Sequence, residues 1–210
     1  MCNVTHTSSN KILSRIYGKK RGQVITPKDF LDIASHETVR QTLRRLTDAG
    51  TIRRLMRGVY EYPVISTLFK GPAPPDPDAI ARAIARTHGW SIFPEGNTAL
   101  NILGLSTQVP AQWQYFSDGP TRAFTWDGGT LVFKHRTNKE TSSLSHKTGL
   151  LTQALKTLGP TRVTEQVLKT VLEKLSTDDL NRAIREARYV TSWVYEVIKK
   201  LREMKEVHND

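Results

Sequence analysis

The stretch KGPAPPDPD, Lys70–Asp78, places four prolines and a glycine in nine residues. Proline lacks a backbone donor and holds φ fixed, so neither a helix interior nor a central strand can continue through it. A chain of 210 residues interrupted at that point is expected to fold in two parts. The division reads as a small domain over 1–63, a semi-rigid proline-rich linker over 64–78 and a larger domain over 79–210. A hydrophobic fraction of 38% is enough for both to bury a core.

The charge follows the same division. The chain carries +11 overall, and residues 1–63 hold 12 Lys and Arg against 5 Asp and Glu. Residues 64–137 are nearly balanced, with 6 against 5. An excess concentrated in one small domain calls for an anionic partner, nucleic acid ahead of a membrane surface. The lone cysteine, Cys2, excludes an internal disulfide and a multi-cysteine zinc site. The opening MCNVTHTSSN has no apolar run, and no uninterrupted apolar stretch is long enough to span a bilayer. A cytoplasmic location with no membrane partner is therefore expected.

Within the first domain, NKILSRIYGKK sets Ile12, Leu13 and Ile16 on one helical face. TPKDFLDIA opens with Thr26 as a candidate N-cap, Pro27 at the first helical position and Asp29 completing a capping-box pattern, so a second helix is expected. Ser35 caps a third, in which Val39, Leu43 and Leu46 form one buried stripe and which Gly50 ends. TIRRLMRGVYEYP then reads as two short strands around an Arg57-Gly58 turn. Three helices followed by a hairpin describe a winged helix-turn-helix.

Beyond the linker, a helix with Ile80, Ala83 and Ile84 on its apolar side precedes the strand WSIFP and a helix ended by Gly104. Three further strands follow, QWQYFSDG, RAFTWDG and TLVFKHRT, the last two joined through Asp127-Gly128. The C-terminus reads as three helices, about Ser143–Leu158, Thr164–Leu175 and Asp178–Met204. Trp90, Trp113, Trp126 and Trp193 are assigned to the core of this domain. The expected class is α+β: an N-terminal winged helix-turn-helix, then a mixed α/β domain with a helical C-terminus.

Six arginines fall in the 26 residues from Ser35 to Tyr60. In a helix-turn-helix the second helix of the motif enters the major groove, with its N-terminal residues nearest the bases. On the helix over 35–49, His36, Thr38, Arg40, Gln41, Arg44 and Arg45 lie off the apolar stripe. Arginine can bond guanine O6 and N7, and glutamine can bond adenine N6 and N7. Arg53, Arg54 and Arg57 on the hairpin suit phosphates or the minor groove, and Lys19, Lys20 and Arg21 add further backbone contacts. The competing reading is a solvated basic face on a structural domain, with the protein acting as an interaction module.

No catalytic constellation is legible. None of His6, His36, His88, His135, His146 and His208 has a histidine partner at helical spacing, and there is no phosphate-cradling glycine loop. Asp76 and Asp78 flank Pro77 at a helix start, and the Ser/Thr-rich segment between His135 and His146 reads as a polar loop. No enzyme activity, metal or cofactor is expected.

The segments VRQTLRRLTDAGTIRRLMRGVYEYP, GWSIFPEGNTALNILGLSTQVPAQWQYFSDGPTRAF and LVFKHR resemble the AbiEi-type antitoxins of bacterial type IV toxin–antitoxin systems. The resemblance runs from about Ile12 to Leu201. It implies a winged helix that binds double-stranded operator DNA and represses its own promoter, and a C-terminal antitoxin domain. That domain would oppose a nucleotidyltransferase-like toxin, in general without a stable complex. The family's DNA contacts map here to Arg40, Arg44, Arg45, Arg53, Arg54 and Arg57. The alternative is a module that neutralises a toxin by direct binding. One winged helix reads a short site, so a homodimer or cooperative neighbouring copies are expected on DNA.

Overall fold

The computed structural model of the protein describes residues 8–68, 70–108, 110–136 and 144–207. The chain forms two compact units. One runs to Gly89 and takes in Thr125–Gly129; the other is made of Trp90–Phe124 and the chain from Thr130 onward.

In the first unit, helix α1 (Ser8–Tyr17) buries Ile12 and Ile16, with Leu13 half-buried beside them. Strand β1 (Val24–Ile25) and a 3-10 turn (Pro27–Phe30) lead to helix α2 (His36–Asp48), then to strands β2 (Arg53–Met56) and β3 (Val59–Glu61). The three strands form an antiparallel sheet in the order β1-β3-β2. Ile25 pairs with Tyr60 on one side of β3 and Arg54 with the same Tyr60 on the other, and the register skips at Leu55. Ile12, Ile16, Ile25, Phe30, Val39, Leu43 and Ile52 make one buried cluster between the helices and this sheet.

Two expectations change here. The predicted helix TPKDFLDIA is only the 3-10 turn and the bends after it. Its amides reach back three residues, Asp29 to the Thr26 carbonyl and Ile33 to that of Phe30, both at 3.0 Å. The Asp29 carboxylate accepts from the Thr26 amide at 2.8 Å, and Asp32 is held by Arg15 at 2.6 and 2.7 Å. Strand β1, only two residues long, carries no periodicity by which to foresee it.

The proline-rich segment is also more ordered than a spacer. Strands β4 (Ile65–Ser66) and β5 (Gly71–Pro72) pair antiparallel, and the Ala73 amide donates to the Val64 carbonyl at 2.8 Å. Asp76 then caps helix α3 (Pro77–His88), accepting from the Asp78 amide at 2.9 Å. Ile80, Ala83 and Ile84 are buried as expected, together with Ala81 and Ala85. This helix belongs to the first unit, whose N-terminal segment therefore runs to Gly89 rather than stopping at 63. Side-chain ties account for that: Arg86 grips Asp29 with two bonds of 2.9 Å, and Lys28 donates to the Thr87 carbonyl at 2.7 Å.

The second unit contains strand β6 (Ile92–Pro94), helix α4 (Gly96–Ile102), strand β7 (Trp113–Ser117) and most of strands β8 (Arg122–Trp126) and β9 (Gly129–His135), whose joining residues Thr125–Gly129 group with the first unit. The sheet order is β6-β7-β9-β8, with β6 antiparallel and β9 parallel to β7. Of the four tryptophans assigned to this core, Trp90, Trp113 and Trp193 are half-buried, Trp90 meeting Phe133 edge-on at 5.7 Å, whereas the buried Trp126 groups with the first unit. Helices α5 (His146–Leu158), α6 (Glu165–Lys174), α7 (Thr177–Glu186) and α8 (Ser192–Val207) form the helical C-terminus around Leu151, Leu155, Val171, Leu180, Ile198 and Leu201. The helix expected over Asp178–Met204 is in fact α7 and α8. A 3-10 turn (Ala187–Tyr189) and the extended Val190 separate them, and the Thr191 carbonyl accepts from Val194 and Tyr195 to start α8. The polar loop expected between His135 and His146, and Ser143 as a helix start, fall on residues 137–143, outside the described residues. The architecture is mixed α plus β with a helical C-terminus.

Candidate nucleic-acid interface

Helix α2 is built to show one face and bury the other. The Ser35 hydroxyl accepts from the Thr38 amide at 3.4 Å and lies 3.0 Å from the Thr38 hydroxyl, which fixes the first turn. Val39 and Leu43 are fully buried, Thr42 nearly so and Leu46 partly. Burying each of the two aliphatic side chains stabilises the unit by about 1.5–3 kcal/mol, which pins the helix's rotation. His36, Glu37, Thr38, Arg40, Gln41, Arg44, Arg45 and Asp48 are left exposed. Gln41, Arg44, Arg45 and Asp48 line a shallow open depression.

The two acids of this face touch its candidate base readers. Gln41 Nε2 donates to Glu37 Oε1 at 3.2 Å, and Arg40 Nη1 lies 3.6 Å from Glu37 Oε2. Arg44 Nε stands 3.9 Å from an Asp48 oxygen, with both side chains mostly exposed. A solvent-exposed pair as long as Arg44–Asp48 contributes about 0–1 kcal/mol, which leaves the Arg44 guanidinium available to other acceptors. Arg45 has no side-chain partner among the described residues. The contacts of Glu37 were missed from sequence, although its spacing of three and four to Arg40 and Gln41 carried the signal.

The hairpin arginines separate into two kinds. Arg54 and Arg57 are exposed; Arg54 Nε reaches only the Met56 carbonyl, at 3.4 Å. Arg57 occupies the two-residue turn with Gly58, whose φ of +76° a residue with a Cβ adopts only under strain. Arg53 is engaged inside the protein: Nε donates to the Glu61 carboxylate and Nη2 to the Ala73 carbonyl. Glu61 is 2% exposed, so Arg53 neutralises a buried charge at the hairpin's base.

In the basic loop Lys20 is exposed and Lys19 half-buried. The Arg21 guanidinium lies 4.5 Å over the Tyr62 ring and donates to the Pro63 carbonyl at 2.9 Å. Tyr62 in turn meets Tyr17 at 5.7 Å. Lys20 is thus the freest of the three cations, while Arg21 is fastened to the unit it would serve.

Elsewhere, no group of three or more His, Cys, Asp or Glu among the described residues is placed to hold a metal ion. His135 Nδ1 lies 2.9 Å from the Gly119 carbonyl. No helix of the described residues is long and apolar enough to cross a membrane.

Residues 11–182 match DUF6088, described as a family of unknown function, and the chain belongs to that family. No curated protein matches it. Among solved structures it is similar to the crystal structure of the RV2827C protein from Mycobacterium tuberculosis. The identity there is 15% and the TM-score 0.39, over 95% of this chain and 77% of that one.

Proposed function

We propose that this DUF6088 protein binds double-stranded DNA through its first unit, a winged helix-turn-helix in which α2 is the recognition helix and the β2–β3 turn is the wing. The observation that carries the reading is the exposed face of α2: Arg40, Gln41, Arg44 and Arg45 stand opposite the buried Val39 and Leu43. The 12 Lys and Arg of residues 1–63 against 5 acids supply the attraction to phosphate. In this reading Arg40, Gln41 and Arg44 read base edges, with His36 and Thr38 beside them at the helix start. Arg54, Arg57 and Lys20 grip the backbone, and Arg45 serves either role. Arg53 acts through the hairpin's shape rather than by touching DNA.

The role we assign to this binding is repression of the protein's own promoter in a bacterial toxin–antitoxin operon. There the second unit opposes a nucleotidyltransferase-like toxin in the cytoplasm. The likeness to AbiEi-type antitoxins supports that assignment. A reporter gene behind the protein's own upstream DNA tests it. Expression of the protein should silence the reporter, and an Arg44→Ala, Arg57→Ala double variant should release it. A reporter indifferent to both proteins sinks the repressor role. Coexpression with the neighbouring gene tests the second half: growth arrest that the protein fails to relieve sinks the antitoxin role.

A further inference from the structure

Glu37 is a negative charge where a surface meeting a polyanion gains from having none. Its side chain is 65% exposed, in the first turn of α2. That is the end of a recognition helix that lies closest to the bases. An acid in the first turn complements the helix dipole, but Ser35 already caps this helix, and the dipole does not explain where the carboxylate points. One of its oxygens accepts a hydrogen bond from Gln41 Nε2 and the other lies 3.6 Å from Arg40 Nη1. The Gln41 amide has two N–H groups and a carbonyl. With one N–H held by Glu37, the remaining N–H and the carbonyl form the donor–acceptor pair that adenine's N7 and N6 require.

We propose that Glu37 determines sequence specificity as a positioning residue: its carboxylate holds Arg40 and Gln41 in one arrangement for reading bases, and it repels DNA that does not offer the matching edges. The inference rests on the duplex-DNA reading above. Long side chains ordered before binding lose less freedom on contact, and this favours the site they are ordered for. A carboxylate near phosphates weakens every complex, but matched base contacts offset that loss and mismatched ones do not.

The experiment selects from a randomised duplex pool with the wild-type chain, Glu37→Gln and Glu37→Ala. Affinities for the enriched duplex and a scrambled one are then measured at two salt concentrations. Glu37→Gln keeps the side chain's size and removes its charge, and an exposed position tolerates both changes. The expected result is tighter binding of both variants to scrambled duplex, with the enriched-to-scrambled ratio reduced about tenfold. The motif enriched by the variants should be blurred at the positions read by Arg40 and Gln41. An unchanged ratio overturns the inference while leaving DNA binding intact. A parallel loss of both affinities together with a lower melting temperature also overturns it, because that is the mark of a merely structural role. A wild-type chain that enriches no sequence overturns the duplex-DNA reading and this inference together.

Discussion

Arg53 and Glu61 face each other across the β2–β3 pair, and the glutamate carboxylate at that contact is 2% exposed. The same guanidinium reaches the Ala73 carbonyl, so one side chain fastens the hairpin to the chain that follows it. Arg53→Ala leaves a buried carboxylate without its cation. The expected cost is about 2–3 kcal/mol, the low end for a broken buried pair because Arg53 itself is partly exposed. Faster hydrogen exchange at the β3 amides and a lower melting temperature would register it. A loss under about 0.5 kcal/mol would mean that the pair does not hold the hairpin.

Arg57, at the turn of the same hairpin, should behave in the opposite way. It is exposed, and its side chain makes no hydrogen bond or ion pair among the described residues, so Arg57→Ala should change stability by no more than about 0.5 kcal/mol. On the duplex-DNA proposal, its effect falls on binding. Affinity should fall for preferred and scrambled duplexes alike, and the slope of log K against log salt should flatten by about one. A selective loss on the preferred duplex alone would show that Arg57 reads bases instead.

Asp29 makes the first unit acid-sensitive. Burial alone would raise its carboxyl, but the Arg86 guanidinium, the Thr26 amide and the nearby Lys19 charge outweigh burial. The group therefore titrates below its ordinary value of 3.8. A carboxyl depressed in the folded state stabilises it fully above the unfolded value, and that contribution is lost as pH falls through the lower folded value. Asp29→Asn should therefore destabilise the protein by about 1.5 kcal/mol at neutral pH. Its deficit relative to wild type should shrink as the pH drops below 3.8. A deficit that stays constant down to that pH would show that the charge is not what matters.

What could be read from the sequence was local and periodic. The α2 stripe of Val39 and Leu43, the Ser35 cap and the Asp127-Gly128 turn each depend on residues a few positions apart. The structure has all three. What escaped was set by partners far along the chain. Arg53 was assigned to phosphates with Arg54 and Arg57 because nothing in RRLMRG marks which arginine meets Glu61; strand register decides that. Likewise the Thr26–Asp29 pattern fits a helix start, yet Arg86, 57 residues on, takes the other side of Asp29, and Arg15 takes Asp32. The same Arg86 and Lys28 bonds carry α3 into the first unit, past a run of prolines that looked like a boundary. The break between α7 and α8 lay hidden because apolar residues continue at helical spacing on both sides of it.

Helix α5 contains a test of packing in the second unit. A Cβ on Gly149 would stand 2.5 Å from the Phe93 ring, a buried side chain of β6. Alanine favours a helix by up to about 1 kcal/mol over glycine, whereas overpacking costs about 1–3 kcal/mol. Gly149→Ala should therefore destabilise, and Gly149→Ala with Phe93→Leu should recover part of the loss. A stabilising single substitution would show that helix and strand stand farther apart than this.

The central claim is that the exposed face of α2 binds duplex DNA with a sequence preference. It is tested most directly by titrating the full chain against its own upstream duplex and a scrambled duplex of equal length, over a range of salt, with an Arg44→Ala, Arg57→Ala double variant alongside. The account expects tighter, salt-sensitive binding to the upstream duplex and a marked loss in the double variant. Equal binding to both duplexes, no binding at all, or undiminished binding by the double variant would contradict it.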